Sequence, residues 1–497
     1  MRTSYCFILL FSQLITFAWA DTFVNICDRG PWADEIVIQA GASSCEAVSQ
    51  EAMAKIKELN FFGYGIDFIP KHAFQGLDSL QSLNLTYNNL TNIPESLFHG
   101  LSALQSIGLS HNNLTEIPGK LFSGLYALEH IGLAKNKISS FKEITFQNLP
   151  QLKDLVIGEN QLTTLPENLF KGSIALEKLY AGLNQIASLP ENLFKGLAHL
   201  KLIAIWGQSL LDLPEGLFNG LTSLEEIYFQ GNYIQTIYPN TFKNLPSLKK
   251  IVLGENQISE IPEGAFSNLI SLEGVQLGSN ALTSLPENIF WGSPNLQMIT
   301  LDFNNLESLP EKLFQGLTHL KFVDLVKNLL FKLPDELFKD VRPDLFVWLN
   351  SNQFTEIPFK SLRYLYNTKK ICIASNQITY IPDNAFQGFP LLKIIEIDQN
   401  QLTTISKNTF QGLPNLENID LEGNQLTFIH ENAFKGLEKI GVIELADNRL
   451  NKLPTNIFQD LPSLEKITLG GNNFYSISRQ EYGLTSEIKV EGVEDLP

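Results

Sequence analysis

The chain has 497 residues and a formal net charge of −17, with 53 acidic and 36 basic side chains. This balance argues against a nucleic-acid partner, which needs a basic surface, and the 44% of apolar residues argue against intrinsic disorder. A chain of this length has room for about three ordinary domains, unless it is repetitive.

The first 20 residues are typical of a secretory signal peptide. Arg2 gives the positively charged N-terminal region, and Tyr5–Phe17 is the mostly apolar region that follows. Ala18-Trp19-Ala20 fits the small-x-small cleavage pattern. We therefore predict cleavage before Asp21, with a retained membrane anchor as the alternative. No later stretch has 18 uninterrupted apolar residues and the chain ends without a hydrophobic tail. The sequence thus predicts a secreted, extracellular protein without membrane insertion.

Two cysteines lie close together ahead of the repetitive part. Cys27 and Cys45 bracket a short segment, and an oxidising export route would let them pair as a disulfide in an N-terminal cap of residues 21–58. Cys6 would leave with the signal peptide, so Cys372 remains as an odd thiol. We expect Cys372 to face solvent or to link to a partner chain, with a half-covered, unreactive cysteine as the alternative.

A repeat of 24 residues covers most of the chain. Its pattern is L-x-x-L-x-L-x-x-N-x-L, in which the alternating L-x-L predicts a short strand with one buried face. The asparagine ends the strand, and its side chain can hydrogen-bond backbone groups that the turn leaves unpaired. Gln208 fills the one register that lacks asparagine. The series is Asn88, Asn112, Asn136, Asn160, Asn184, Asn232, Asn256, Asn280, Asn304, Asn328, Asn352, Asn376, Asn400, Asn424, Asn448 and Asn472.

The second half of each repeat carries proline and then phenylalanine, ten residues after the asparagine register. Stacked phenylalanines predict an apolar spine on the outer side of the coils, which only Leu362 and Tyr482 interrupt. Because the strands lie closer together than the outer coils, we predict a curved α/β-type solenoid of about 18 repeats over residues 59–482. It has a concave parallel β-sheet, an irregular or short helical convex side, and a C-terminal cap or tail at 483–497.

One coil departs from this pattern, between Asn328 and Asn376. Leu345 is shifted by one position, and Thr368 replaces a core leucine. Either a local kink or simple sequence drift is expected there.

These motifs resemble the "typical" subfamily of extracellular leucine-rich-repeat proteins, over about residues 59–482. The arrays are similar to those of the carboxypeptidase N regulatory subunit, the acid-labile subunit, and arthropod proteins like the non-catalytic subunit of luciferin monooxygenase. The resemblance implies a horseshoe fold that binds proteins or other ligands without catalysis.

Two groups of aromatic residues occupy the outward positions of predicted strands. Clustered exposed aromatics mark binding surfaces, although they could also merely tile the face of the sheet. The first group is Tyr180, Trp206 and Tyr228, and the second is Met298, Phe322 and Phe346 with Phe303 and Trp348 nearby.

Acidic residues recur at equivalent strand positions near the C-terminal end of the array. Like charges about 4.8 Å apart repel, so we predict a site for a basic partner surface, with a divalent cation as a weaker option. The alternative is that an acidic protein carries such residues everywhere. The residues are Glu396, Asp420 and Glu444 in one column, Asp398 and Glu422 in the next, and Asp447 beyond.

Three glycosylation sequons lie near the N-terminus, at Asn84, Asn89 and Asn113. Asn89 and Asn113 follow ladder asparagines directly and should be accessible. Asn84 should face the concave sheet, where a glycan would obstruct binding.

The sequence contains no nucleophile–base constellation, phosphate loop or metal-spaced Cys/His cluster. We therefore predict a non-enzyme without a cofactor. The first hypothesis is a secreted protein that binds an extracellular protein through its concave face. The others are a stabilising subunit of a secreted enzyme complex and a scaffold for adhesion or matrix.

Overall fold

The alternating L-x-L segments form one parallel β-sheet along the repeat array. The computed structural model describes residues 26–29, 32–474 and 476–496, and within them this sheet has nineteen strands of three residues each. The predicted solenoid class is confirmed, while the predicted signal peptide lies outside the described residues. The strands are Glu58–Asn60, Ser82–Asn84, Ser106–Gly108, His130–Gly132, Asp154–Val156, Lys178–Tyr180, Leu202–Ala204, Glu226–Tyr228, Lys250–Val252, Gly274–Gln276, Met298–Thr300, Phe322–Asp324, Phe346–Trp348, Lys370–Cys372, Ile394–Glu396, Asn418–Asp420, Val442–Glu444, Lys466–Thr468 and Lys489–Glu491.

Burial alternates along most strands, as the side-chain period of two requires. In Ser82–Asn84 the central Leu83 is buried, whereas Ser82 and Asn84 are half-buried on the concave face. Leu83 pairs with Ile107 of the next coil, so equivalent residues stand side by side along the sheet. The chain then leaves the strand through a left-handed residue, Tyr87 in this coil, whose φ is 60°.

The ladder asparagines complete this turn with hydrogen bonds, as the sequence predicts. The Nδ2 group of Asn112 donates to the carbonyls of Leu85 at 3.0 Å and of Leu109 at 3.1 Å. Its Oδ1 accepts the Leu90 N–H at 3.0 Å. One buried side chain thus connects three backbone groups of two adjacent coils, which is a strong reason for asparagine at this position.

Gln208 reproduces most of this arrangement with its longer side chain. Its Nε2 group donates to the Ala181 carbonyl at 2.7 Å, and its Oε1 accepts the Ile186 N–H at 3.1 Å. The bond within its own coil goes to Trp206 at 3.3 Å rather than to the carbonyl three residues back. The exception in the series therefore preserves the links between coils.

The phenylalanine spine is also present. Successive rings from Phe98 to Phe194 stack with centroids 5.7–6.4 Å apart and are buried. In the irregular coil, a short helix at Phe359–Leu362 occupies the place of the missing ring. Phe359 contacts Phe386 edge-on at 5.5 Å, and Leu362 is buried.

The irregular coil loosens the sheet locally without breaking it. Strand Phe346–Trp348 pairs with Lys370–Cys372 through only one residue pair, Trp348 with Cys372. The shifted Leu345 is still fully buried, and Thr368 turns its hydroxyl to the Lys370 carbonyl at 3.0 Å.

A small N-terminal unit covers the first coil. Its Trp32 is buried against Phe61 and Phe74, with ring centroids 4.7 and 5.6 Å away. The structure contains the Cys27–Cys45 disulfide in this unit. Its helical segments are Ile26–Arg29, Trp32–Gln39, Cys45–Ala47 and Gln50–Met53.

The C-terminal segment is more than a tail. Lys489–Glu491 adds the last strand to the main sheet beside Lys466–Thr468, and Ser476–Ser478 pairs with Glu494–Leu496. Between them lies the helix Arg479–Tyr482. A further small pairing joins Thr404–Ile405 to Phe428–Ile429. The helices in the described part of the chain are too short to span a lipid bilayer.

Candidate binding surface

The concave face is an array of aligned columns because every strand pairs in register with the next. We call the residue before each buried strand centre, such as Ser82, the first column. The residue after it, such as Asn84, belongs to the second column, and Thr86 and its equivalents form the third. Neighbouring members of a column are about 4.8 Å apart, so side chains of adjacent coils lie next to one another on this face.

A ladder of alternating charges borders the first column. Lys153 bonds Glu129 at 2.7 Å, and Lys201 bonds Glu177 at 2.8 Å. Lys249 continues the series on the next coils. Such exposed pairs stabilise by only about 0–1 kcal/mol each. This ladder was not predicted from the sequence, although the signs of the charges alternate from coil to coil one residue before the first column.

The first aromatic group comes together as predicted. Tyr180 and Tyr228 occupy the second column on either side of Ala204, and Trp206 projects from the third column of the intervening coil. Trp206 lies across Gly182, where a Cβ atom would be 2.5 Å from the indole nitrogen. Glycine at that position is what lets the indole lie close to the sheet.

Tyr228 is held in place by its neighbours. Its hydroxyl donates to Glu226, and Lys250 Nζ lies 5.2 Å from its ring centroid. Burial, and then the bond to the Glu226 carboxylate, raise the pKa of Tyr228 to about 12. Trp206 is 37% exposed and Tyr180 36%. The group therefore presents ordered, partly exposed rings on the concave face.

The second aromatic group is only partly assembled. Phe322, Phe346 and Trp348 contact one another, with centroid distances between 4.8 and 5.9 Å, and Met298 is exposed next to Phe322 in the first column. Phe303 instead lies beyond the third column, where Lys327 Nζ sits 4.6 Å above its ring.

The acidic residues form the predicted column, but its ends carry compensating charge. Lys370 bonds Glu396 at 2.5 Å, and the charge of Lys466 acts on Glu444. Carboxylate oxygens of Asp420, Glu422 and Glu444 lie within 4.8 Å of one another. These three carboxylates form a compact group, and within the described residues none of them forms an ion pair with a lysine or arginine. The ion pair of Lys370 with Glu396 was not predicted from the sequence, because the two residues lie in different columns.

The remaining acidic residues flank this group. Asp398 is half-buried, and burial together with the charge of Asp420 raises its pKa to about 6. The backbone of Asp447 has a left-handed conformation, with φ at 52°, and its side chain lies against Gly471.

We expect Glu444 to make the stability of the protein depend on pH. Burial and the neighbouring Asp420 carboxylate raise the pKa of Glu444 to about 7, from an ordinary 4.5. The folded state therefore binds more protons than the unfolded state between these values, and stability is lost as pH rises through this window. Glu444→Gln should be more stable than wild type by about 1 kcal/mol at pH 8, after discounting for solvent screening.

The same variant should match wild type at pH 4.5. Urea unfolding of both proteins at the two pH values measures this difference. A stability difference that does not change with pH would contradict the assigned titration.

The expectation that Cys372 faces solvent is wrong. The residue is only 1% exposed, and burial raises the pKa of its thiol strongly. Its second-column position lies between Trp348 and Glu396, and Lys370 bonds Glu396 beside it. The large neighbours cover the small thiol, which makes Cys372 unsuited to an intermolecular link.

The three sequons differ in accessibility. Asn89 is exposed, whereas Asn113 is half-buried. Asn84 lies in the second column, and its Oδ1 accepts the Thr86 N–H at 3.0 Å. Glycosylation at all three sites stays a prediction.

Two further acidic residues on the concave face escaped the sequence analysis. Asp324 stands in the second column, opposite Trp348, and Asp302 stands in the third. Burial raises the pKa of both carboxyls, that of Asp324 to about 6. The 24-residue repeat alone assigns both residues to the concave face.

Family models match most of the repeat array. The model described as leucine rich repeat matches residues 150–207, 198–258, 246–306, 347–402, 367–426 and 414–474. A second model, for the BspA type leucine rich repeat region, matches residues 51–177. A search of curated proteins found no match.

Solved structures share the fold at low sequence identity. A leucine-rich-repeat protein of Leptospira interrogans is 24% identical, with 89% of this chain and 97% of that chain covered and a TM-score of 0.61. A chain of the Toll–Spatzle complex of Drosophila is 21% identical, with coverages of 86% and 60% and a TM-score of 0.72. A plant peptide hormone receptor in complex with RGF2 is 20% identical, with coverages of 88% and 78% and a TM-score of 0.60.

Proposed function

The chain belongs to the leucine-rich-repeat family, and from that premise we propose that it is a secreted, non-catalytic protein that binds an extracellular protein through its concave face. The observation that carries this proposal is the composition of the columns. Aromatic rings and closely spaced carboxylates gather on three separate sets of coils, whereas the coils from Ser82 to Gly158 carry mainly small or polar residues there.

The exposed rings support binding more than a structural role. The core of the coil that carries Trp206 is complete without this side chain, because Ile203 and Ile205 of the same coil are fully buried. Large aromatic side chains that add nothing to the core are enriched among the residues that dominate the binding energy of interfaces. Their position on strands, or directly after a strand in the case of Trp206, also reduces the entropy lost on binding.

Secretion is supported by two independent features. The first 20 residues have the pattern of a signal peptide, and the Cys27–Cys45 disulfide suits an oxidising compartment. We accordingly propose a mature chain with an N-terminal cap at 21–58, repeats of the "typical" subfamily at 59–482 and a cap at 483–497. The folds in the Toll–Spatzle complex and the plant receptor are compatible with a binding role, but the proposal rests on this chain's own residues.

The acidic column favours a basic surface on the partner, because opposite charge there would relieve the mutual repulsion of its carboxylates. Affinity purification of the tagged protein from its source fluid provides that partner. A co-purifying enzyme would favour the role of a non-catalytic subunit, and recovery of only a homodimer would favour a scaffold.

The triple variant Glu396→Gln, Asp420→Asn and Glu444→Gln tests the contribution of this column. We expect its affinity for the captured partner to fall about tenfold at low ionic strength and to lose most of its salt dependence. Its melting temperature should stay level or rise. Unchanged affinity at low salt in titration calorimetry would place the partner elsewhere, with the Tyr180, Trp206 and Tyr228 group next to be tested.

A further inference from the structure

Four side chains of two adjacent strands form a corner on the concave face. Phe322 and Asp324 flank the buried Val323, and Phe346 and Trp348 flank the buried Val347. Phe322 pairs with Phe346, and Asp324 pairs with Trp348. The four residues therefore occupy the corners of a rectangle, about 5 Å between the strands and about 6.6 Å along them. We call this set the aromatic–carboxylate corner.

The ring of Trp348 meets the two phenylalanine rings of the corner at steep angles. The planes of Phe322 and Trp348 are at 90° with centroids 4.8 Å apart, and those of Phe346 and Trp348 are at 76°. Rings in such an arrangement present faces in different directions, in contrast to the parallel stacks of the outer spine. All three rings are half-buried, so part of each remains available to a ligand.

The carboxylate of the corner has no cation. Asp324 is 9% exposed, and its Oδ1 accepts the Val326 N–H at 3.0 Å. Within the described residues, no lysine or arginine forms an ion pair with Asp324 or with Asp302, and the charge that acts on Asp324 is that of Asp302, which is negative.

The nearby lysines are engaged elsewhere. Lys321 bonds Gln297 at 2.8 Å, Lys327 lies over Phe303, and Lys370 bonds Glu396. A buried carboxylate without a cation costs free energy, and the fold does not require one here. The same column position holds Ala204 and Val252 in other coils.

We propose that the aromatic–carboxylate corner receives an arginine side chain of the partner protein. A guanidinium is planar, stacks on aromatic faces and donates two parallel N–H groups to a carboxylate. It thus satisfies both the ring faces and the unpaired acid of the corner. An ammonium group is a compact, strongly hydrated charge and would use the rings less well. This inference rests on the proposed binding role of the concave face.

Fluorine NMR of the secreted chain labelled with 5-fluorotryptophan tests the proposal without the native partner. Trp348→Phe identifies the signal of Trp348 by its loss. The probe is N-acetylarginine methylamide, and the neutral citrulline and the lysine analogues are its comparisons. The arginine probe should shift the Trp348 signal saturably in the millimolar range, whereas the citrulline analogue should not, and the lysine analogue should bind several-fold more weakly.

Asp324→Asn should weaken the response to arginine at least tenfold, because the charged hydrogen bonds are lost. Phe346→Leu keeps the carboxylate and should weaken the response to arginine by a smaller factor. This second variant keeps the proposal testable if Asp324→Asn fails to fold. Asp154→Asn, which changes a concave-face aspartate that bonds His130 instead, is the matched control and should respond like wild type.

Three results would overturn the assignment: no saturable shift with arginine, an equal shift with citrulline or lysine, or an unchanged response in Asp324→Asn. Failure of the proposed function would give a different result. The affinity of the captured partner would then be the same for every concave-face variant, while the arginine probe would still bind.

Discussion

Replacing Asn160 with alanine is expected to lower the free energy of unfolding by about 3 kcal/mol. Asn160 is buried, and its Nδ2 donates to the Leu133 and Ile157 carbonyls at 2.9 and 3.1 Å. Its Oδ1 accepts the Ile138 N–H at 3.1 Å. Alanine leaves the buried Ile138 N–H without its partner, which costs about 1–3 kcal/mol. The two carbonyls keep one bond each, because Asn136 also donates to Leu133 at 3.0 Å and Asn184 to Ile157 at 3.1 Å. The two bonds that are lost there add about 0.5–1.5 kcal/mol each.

The matched control is Asn160→Gln at the same position. Gln208 shows that glutamine keeps both bonds to the preceding coil, so this variant should retain most of the stability that alanine loses. Urea unfolding followed by tryptophan fluorescence compares the three proteins. Equal losses in the alanine and glutamine variants would mean that packing, and not hydrogen bonding, sets the cost.

Trp206→Ala is expected to reduce affinity for the captured partner about 30-fold, which corresponds to about 2 kcal/mol. The indole is exposed on the concave face and lies over Gly182, between the two tyrosines. Its removal should cost much less in stability, because the adjacent core residues Ile203 and Ile205 stay buried.

Trp291→Ala provides the control for a lost tryptophan. Trp291 is 60% exposed and follows the spine residue Phe290 on the outer side of the coils. The Trp291→Ala variant should bind the captured partner with unchanged affinity in surface plasmon resonance. If the two variants weaken binding equally, or if neither does, the first aromatic group is not the contact.

The repeat made the scaffold predictable from sequence. A fixed period assigns each residue to the core, to a column or to the outer spine, and the ladder and spine contacts follow from that assignment. Gln208 illustrates the strength of this inference, because its amide was expected to replace asparagine and does so. The same reasoning placed Tyr180, Trp206 and Tyr228 on one surface.

Contacts between columns were not predictable from the period. Lys370 belongs to the first column and Glu396 to the second, and their bond depends on side-chain reach across one strand. Cys372 is buried for a similar reason, since the size of its neighbours determines its exposure. Lys489–Glu491 follows Lys466–Thr468 after 23 residues rather than 24, and therefore falls outside the repeat that marks the other strands.

Hydrogen–deuterium exchange of the protein with and without its captured partner tests the central claim most directly. If the concave face binds, the amides that gain protection should lie in the strands and exit turns that carry the aromatic groups and the acidic column, such as 202–207, 322–327 and 418–423. Outer segments of the same coils, such as 214–221 and 334–340, provide the internal control and should not change. Protection confined to the outer segments, with the strands unaffected, would contradict the account.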